Sequence, residues 1–268
     1  MNTNNAAKNV YLSPLRLPSL LGVIMGILML VAMAAPSAQA HLLTYFNFNN
    51  GDFVLNSLTS DSPGEQTTHL FYTTGVAGSY PGGNIQVDAT GGTTLNAVGA
   101  DPAGGMLDLM GNVNGNTGDK NCFFLGGLTT TGKTDITLSF AIMSQGNGGQ
   151  FTDLNLLYST TGSGGPYTLF ATDLTLQTYA TFTKLTFNAT ALTGGAVDGV
   201  SGSNLFFEFC LTGSGNNANG NNTFIDNIQV NAVNVPEPAT VFTGAFAALA
   251  LCWSQRRWLV RSLRFRPA

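Results

Sequence analysis

The stretch Asp135-Ile136-Thr137-Leu138-Ser139-Phe140-Ala141-Ile142 alternates without a break, with Ile136, Leu138, Phe140 and Ile142 set against Asp135, Thr137, Ser139 and Ala141. Successive side chains of an extended chain point to opposite faces, so this pattern reads as a strand with one apolar face and one small or polar face. Leu205, Phe207, Phe209 and Leu211 repeat the pattern against Phe206, Glu208 and Cys210. A third run, Phe224-Ile225-Asp226-Asn227-Ile228-Gln229-Val230, keeps the same period but places Asp226 among apolar residues.

Working outward, further strand candidates lie between turn clusters. Leu42 to Phe48 opens the series, with Leu43, Tyr45 and Asn47 on one face and Leu42, Phe46 and Phe48 on the other. His69 to Thr73, Asn84 to Val87, Met106 to Met110, Cys122 to Leu125, Leu154 to Thr160, Tyr167 to Leu174 and Thr181 to Asn188 follow. The turns between them carry Asn-Asn-Gly-Asp at 49–52 and Gly-Ser-Gly-Gly-Pro at 162–166, residues that suit reversals of the chain. No helical period of similar length competes. The reading is all-β: ten to twelve strands in a two-sheet antiparallel β-sandwich. One domain is expected, with Thr129 to Lys133 as the alternative internal boundary.

Composition agrees. Charged residues make up 9% of the 268, against ~25% in an ordinary soluble domain. Glycines number 33, about 12%, where ~7% is usual. Gly, Thr and Asn are poor helix formers, while the 44% hydrophobic content supplies a core. Between His41 and Val235 three lysines face thirteen carboxylates, a net of −10. Such a surface repels phosphates, which excludes nucleic acid as a partner.

The two ends differ from the body. Lys8 and Arg16 precede an apolar region from Leu17 to Met33, and Ala38-Gln39-Ala40 offers a small-x-small cleavage site. Residues 1–40 therefore read as a signal peptide with His41 as the mature start; a retained signal anchor is the alternative. The exported domain spans 41–234. Residues 235–268 form a third segment: Val235-Pro236-Glu237-Pro238-Ala239-Thr240, an apolar run from Val241 to Trp253 expected to be helical, and five arginines from Arg256 onward. Positive residues stay cytoplasmic, so the arginines are placed on the inner side of the inner membrane.

Few residues in the body suit catalysis. His41 and His69 are the only histidines, so a nucleophile–histidine arrangement has one internal candidate, His69, with no nucleophile motif beside it. Its plain reading is a strand-edge histidine. Glu208 faces away from Phe207 and Phe209 and reads as a solvated carboxylate; a glycosidase would need it buried and paired with a second acid. No catalytic residue is assigned. Asp226 is more informative, because a carboxylate on an apolar face must be paired, hydrogen-bonded or metal-bound. With Asn49 and Asp52 it defines a structural Ca²⁺ site built from oxygens; the competing reading has Asp226 accepting backbone N–H bonds, or turned outward by a bulge. Cys122 and Cys210 either bridge the two sheets or remain buried thiols. Both tryptophans, Trp253 and Trp258, lie in the tail, so any sugar platform falls to Tyr72, Tyr80, Tyr158, Tyr167 or Tyr179.

Pro236, Glu237 and Pro238, with the following apolar run and the pair Arg256 and Arg257, resemble the PEP-CTERM sorting signal of Gram-negative envelope proteins. The apolar run of thirteen residues is shorter than the ~20 that span a bilayer, and the tail runs on past Arg257. The resemblance implies export by Sec-type machinery, recognition by an exosortase-like membrane protease, and a link to exopolysaccharide and biofilm. Asn221 to Val230 is similar to the last strand of exported jelly-roll modules, which implies a jelly-roll-like sandwich. The expected protein is structural or adhesive, in the cell envelope or extracellular matrix. The alternative is a carbohydrate-binding module, and a glycoside hydrolase comes third.

Overall fold

In the computed structural model of the protein the described residues are 39–49, 58–61, 63–71, 85–88, 90–110, 121–145, 151–214, 222–235, 246, 249–251 and 253. Ala38–Val235 forms one compact unit. Its described residues build two six-stranded sheets, with every strand pair antiparallel.

The first sheet contains β1 (Ala40–Phe46), β4 (Ile85–Asp88), β5 (Met106–Met110), β7 (Lys133–Ser144), β10 (Thr183–Asn188) and β12 (Asn222–Asn234). The second contains β2 (Leu58–Thr59), β3 (His69–Phe71), β6 (Asn121–Leu128), β8 (Phe151–Ser159), β9 (Thr168–Asp173) and β11 (Leu205–Ser214). Their orders are β10-β7-β12-β5-β4, with β1 also on β12, and β2-β3-β6-β11-β8-β9. The β-sandwich expected from the alternating runs is present. A short helix, α1 (Ala189–Thr193), was not visible in the sequence pattern, since five residues are too few to show a helical period. Asn188 caps it through the Ala191 N–H, and Gly194 closes it in the left-handed region at φ 65°.

The core lies between the sheets. Ile136, Leu138, Phe140 and Ile142 of β7 face Leu205, Phe207, Phe209 and Leu211 of β11, all fully buried. Phe209 stacks on Phe123 within its sheet at 4.6 Å and meets Phe140 of the opposite sheet edge-on at 5.3 Å. Rings in these offsets add to the area they bury.

Several expectations change. In β1 the pairing with β12 shifts between Leu42 and Thr44, and Leu43, Thr44, Tyr45 and Phe46 are all fully buried. Simple alternation of two faces therefore fails there. The small or polar face of β7 is covered too: Ser139 is 3% exposed and Ala141 0%. His69 is not on an edge, because β3 lies between β2 and β6. The cysteines form a disulfide, but within one sheet rather than between two. Cys122 and Cys210 are direct partners on β6 and β11, with Cα atoms 4.2 Å apart.

Outside the compact unit, Phe246, Leu249, Ala250, Leu251 and Trp253 are helical. Among the described residues no helix is long and apolar enough to cross a membrane. Residues 1–38 of the expected signal peptide, Pro236, Glu237, Pro238, Arg256, Arg257 and Asp52 lie outside the described residues, while Ala40 is the first residue of β1.

The disulfide joins positions 88 residues apart, a loop whose closure removes about 4–5 kcal/mol of unfolded-state entropy in the chain-entropy model. Replacing Cys122 and Cys210 together by alanine should lower the urea midpoint accordingly, and reductant should do the same to the native protein. An unmoved midpoint in both experiments would contradict the bridge.

Candidate functional site

Two places concentrate polar chemistry. The first follows from the length of β12. On one side it pairs with β7 along nearly its whole length. On the other, β5 takes Asn222 to Ile225 and β1 takes Ile228 to Val233. Asp226 and Asn227 fall in the gap between those two partners. Here the β7 register slips, with Asp226 opposite Ala141 and Gln229 opposite Ser139, so β12 carries one extra residue. Asn227 absorbs the bulge at φ 53°, a left-handed conformation asparagine tolerates better than most residues.

The bulge corrects the expected faces. Ile225, Ile228 and Val230 all belong to the main core, whereas Phe224 packs with Met106 and Met143 in a separate cluster. Asp226 thus parts company with Ile228 and Val230. It remains 1% exposed.

The loop from Thr93 to Val98 fills the gap. The Thr93 N–H donates to Asp226 Oδ2 and the Asn227 N–H to Oδ1, both at 2.7 Å. Asn227 Nδ2 donates to the carbonyls of Thr93 and Leu95, and its Oδ1 accepts the Tyr45 hydroxyl at 2.7 Å. Asn96 Nδ2 donates to the Asn227 carbonyl at 2.6 Å, while its Oδ1 accepts from Ser139 Oγ. This network covers the polar face of β7. Burial pushes the Tyr45 phenol up. The backbone-accepting reading of Asp226 is therefore realised, at the centre of a sheet rather than its edge.

Two hydrogen bonds do not fully compensate the carboxylate. Burial raises its pKa to about 7, against the lowering effect of the Thr93 and Asn227 N–H groups. Its surroundings explain the strain. A Cβ on Gly92 would lie 2.8 Å from Asp226 Oδ2 and 2.9 Å from the Gly104 carbonyl, and would overlap the Gly105 carbonyl. A Cβ on Gly105 would overlap the Phe48 carbonyl and lie 2.8 Å from that of Asp88. Oxygens from four chain segments thus crowd around two glycines next to a buried carboxylate. An all-oxygen donor set of this kind fits a hard cation such as Ca²⁺. Asn49 belongs to the same corner, but its Oδ1 already accepts the Gly105 N–H at 2.8 Å and its Nδ2 donates to the Pro102 carbonyl. Asn49 thus positions the glycine loop. The backbone carbonyls escaped sequence reasoning because every residue carries one.

The second place is the outer face of the second sheet. Opposite the core-facing Phe207 and Phe209, Phe206, Glu208 and Cys210 point outward on β11, paired in register with Gly126, Phe124 and Cys122 of β6. On β8 their partners are Ser159, Leu157 and Asn155. Glu208 is 6% exposed, which replaces the solvated carboxylate expected from the sequence. Phe71 stacks with Phe206 at 6.4 Å, and Phe124 meets Tyr167 at 5.1 Å. Burial, and then the Glu208 charge, push the Tyr167 phenol up. The Phe206 ring occupies the space a side chain at Gly126 would need. Beside the rings runs a polar lane in which Thr172 donates to Asn155 Oδ1 and Asn155 Nδ2 to Thr212 Oγ1.

Among the described residues Cys122, Glu208 and Cys210 are the one group of three such side chains close enough for a metal. The two sulfurs are bonded to each other, so they supply no thiolate. His69 lies on this face against Phe71 at 5.7 Å, with no nucleophile among the described residues hydrogen-bonded to its ring. Tyr158 packs edge-on to Phe170 at the core margin, and Tyr179 donates to Asp173. Tyr72, Tyr80 and Trp258 lie outside the described residues.

No family model and no curated protein sequence matches the chain. Among solved structures it is similar to the CBM22-1 xylan-binding domain of Paenibacillus barcinonensis Xyn10C, with 13% identity over 75% of this chain and 99% of that one, at a TM-score of 0.40. It spans about half, 49%, of the tandem CBM22-1–CBM22-2 structure from the same enzyme, covering 76% of this chain with 13% identity and a TM-score of 0.38. The K1 cleaved adhesin domain of Lys-gingipain from Porphyromonas gingivalis W83 gives 12% identity over 72% of this chain and 97% of that one, at 0.33. Likenesses this distant assign neither ligand nor activity to the chain.

Asp226 sets a pH dependence. Its folded pKa, about 7, lies above the ordinary aspartate value of 3.8, so the folded protein holds the proton more tightly than the unfolded chain. The stability this contributes is complete below pH ~4 and is lost as pH rises through ~7. In chelator, the native protein should lose stability over that window relative to Asp226→Asn. Ca²⁺ at about a hundred times its dissociation constant should add ~2.7 kcal/mol, raising Tm by roughly 5–10 °C. Native protein whose Tm ignores both chelator and Ca²⁺ would refute the metal.

Proposed function

We propose that the protein is an exported, non-catalytic β-sandwich of the cell envelope or extracellular matrix that adheres to polysaccharide through the outer face of its second sheet. One observation carries the ligand class. Phe71 and Tyr167, partly exposed, flank the buried rings of Phe206 and Phe124 on that face, next to the polar lane of Asn155, Thr172 and Thr212. Aromatic faces pack on the C–H faces of sugar rings, while amides and hydroxyls exchange hydrogen bonds with the sugar hydroxyls, so a mixed apolar and polar surface suits glycan better than a uniformly charged partner.

Three observations support export. The leader pattern before His41 is one. The Cys122–Cys210 disulfide is the second, since such bonds persist in oxidising compartments. The Pro236-Glu237-Pro238 segment with Arg256 and Arg257 is the third, and it supports sorting by an exosortase-like protease after passage through the inner membrane. A purely structural matrix role is the second reading, favoured by the Thr- and Asn-rich surface. Ca²⁺ bound at Asp226, with the carbonyls of Phe48, Asp88, Gly104 and Gly105, would neutralise the buried carboxylate and tie β12 to the glycine loop. It takes no part in ligand binding in this reading.

Binding to immobilised polysaccharides, tested by affinity electrophoresis, should retard the native protein. Tyr167→Ala and Asn155→Ala should each weaken that binding about tenfold, ~1.4 kcal/mol, without lowering Tm in step. Retardation that survives both substitutions would move the ligand elsewhere. Turnover of the glycan abolished by Glu208→Gln would instead make the protein a hydrolase.

Processing has its own readout. Mass spectrometry of the surface-exposed protein should show a chain that starts at His41 and lacks the arginine tail. Intact Arg266 on the mature form would rule out the sorting cleavage.

A further inference from the structure

We propose that removal of the leader creates an amino-terminal copper(II) site at His41, with Glu65 as a further ligand. The inference rests on cleavage between Ala40 and His41, and on the surroundings of His41 in the fold. Hydrolysis of that peptide bond leaves a free α-amine on His41. The amine and the ring Nδ1 of one histidine close a six-membered chelate around a metal, so a single residue supplies two nitrogen ligands. The β1–β12 ladder holds this end in place, with His41 opposite Ala232 and Leu42 opposite Asn231.

A third donor is already positioned. Glu65 Oε1 lies 2.7 Å from His41 Nδ1. Two donors each ~2.0 Å from a metal and at right angles to one another stand ~2.8 Å apart, so this pair matches one edge of a tetragonal site. Without metal the same two atoms share the Nδ1 proton. Lys133 holds the other carboxylate oxygen at 2.9 Å. That contact orients the carboxylate before metal arrives. On the far side of the ring, Asn234 sits 2.8 Å from Nε2. Once Nδ1 binds metal, Nε2 carries the proton, and rotation of the Asn234 amide by half a turn offers it an oxygen acceptor. Partners of this kind fix a ligating imidazole.

Access and selectivity follow from the same groups. The His41 and Glu65 side chains are 33% and 40% exposed, so the site opens to solvent. Two nitrogens and one carboxylate favour Cu²⁺ over Zn²⁺ and the other divalent ions of the first transition row. The Asp226 corner, built only of oxygens, has the opposite preference.

The test uses the full chain expressed with its own leader in a Gram-negative host, recovered from the cell envelope and checked by intact mass. Copper(II) titration should give one tightly bound ion with an electron paramagnetic resonance spectrum coupled to two nitrogens. A form with one extra alanine ahead of His41 keeps the imidazole and Glu65 but displaces the amine. It should bind copper at least about tenfold more weakly, and Glu65→Gln should weaken binding by about the same factor, with Tm recorded for each. Equal affinity in the extended form would overturn the chelate. A mature mass that retains residues before His41 would remove the leader reading and the site with it. A chain that begins at His41 and binds no copper would overturn the site alone.

Discussion

The rest of the structure depends on a single constraint: β12 must serve two partners along one edge. β5 pairs with its first residues and β1 with its later ones, and among the described residues no strand covers Asp226 and Asn227 on that side. Backbone groups left unpaired in a sheet interior would be costly. The chain solves this locally with a bulge at Asn227 and remotely with the loop from Thr93 to Val98, whose amides and carbonyls replace the missing strand. Tyr45 of β1 and Ser139 of β7 are drawn into the same network. A gap in a ladder thereby becomes the best-connected polar site in the described structure.

That solution carries an electrostatic consequence. Fully satisfied side-chain amides are stable inside a protein, but burial strips water from a carboxylate, and Asp226 holds a raised pKa for that reason. The second sheet is fastened by the Phe123–Phe209 stack and by a disulfide between neighbouring strands. The first sheet gathers the chain's early segments around β12.

The acidic body has few cations to spare, and Lys133 shows where one is used. It pairs with Glu65, which also meets His41 at the start of β1. The beginning of β1 is thus tied to β7 and to the far end of β12 through Asn234. Three polar contacts and the ladder behind them hold this end of the strand.

Much of the fold was legible in advance. The runs at 135–142 and 205–211 fixed strand identity and inner face correctly, because a two-residue period has one geometric meaning when four apolar residues keep it. The run from Leu42 to Phe48 misled, since the bulge after Leu42 breaks the period without any mark in residue type. Asp226 was recognisable as a residue needing compensation, because charge on an apolar strand is costly wherever it lies. Its compensating groups were not recognisable. They are the backbone N–H groups of Thr93 and Asn227, a kind of donor that every residue but proline possesses. Likewise, two cysteines in strands implied a bridge or two thiols, and only the adjacency of β6 and β11 placed them in register. Sequence by itself determined periodicity, charge balance and the contrast between basic, apolar ends and an acidic body, since these depend on residue type and local spacing. The tertiary structure alone decided which distant backbone groups meet Asp226 and which strands neighbour each other, because such contacts join positions as far apart as the 133 residues between Thr93 and Asp226, and no local pattern encodes them.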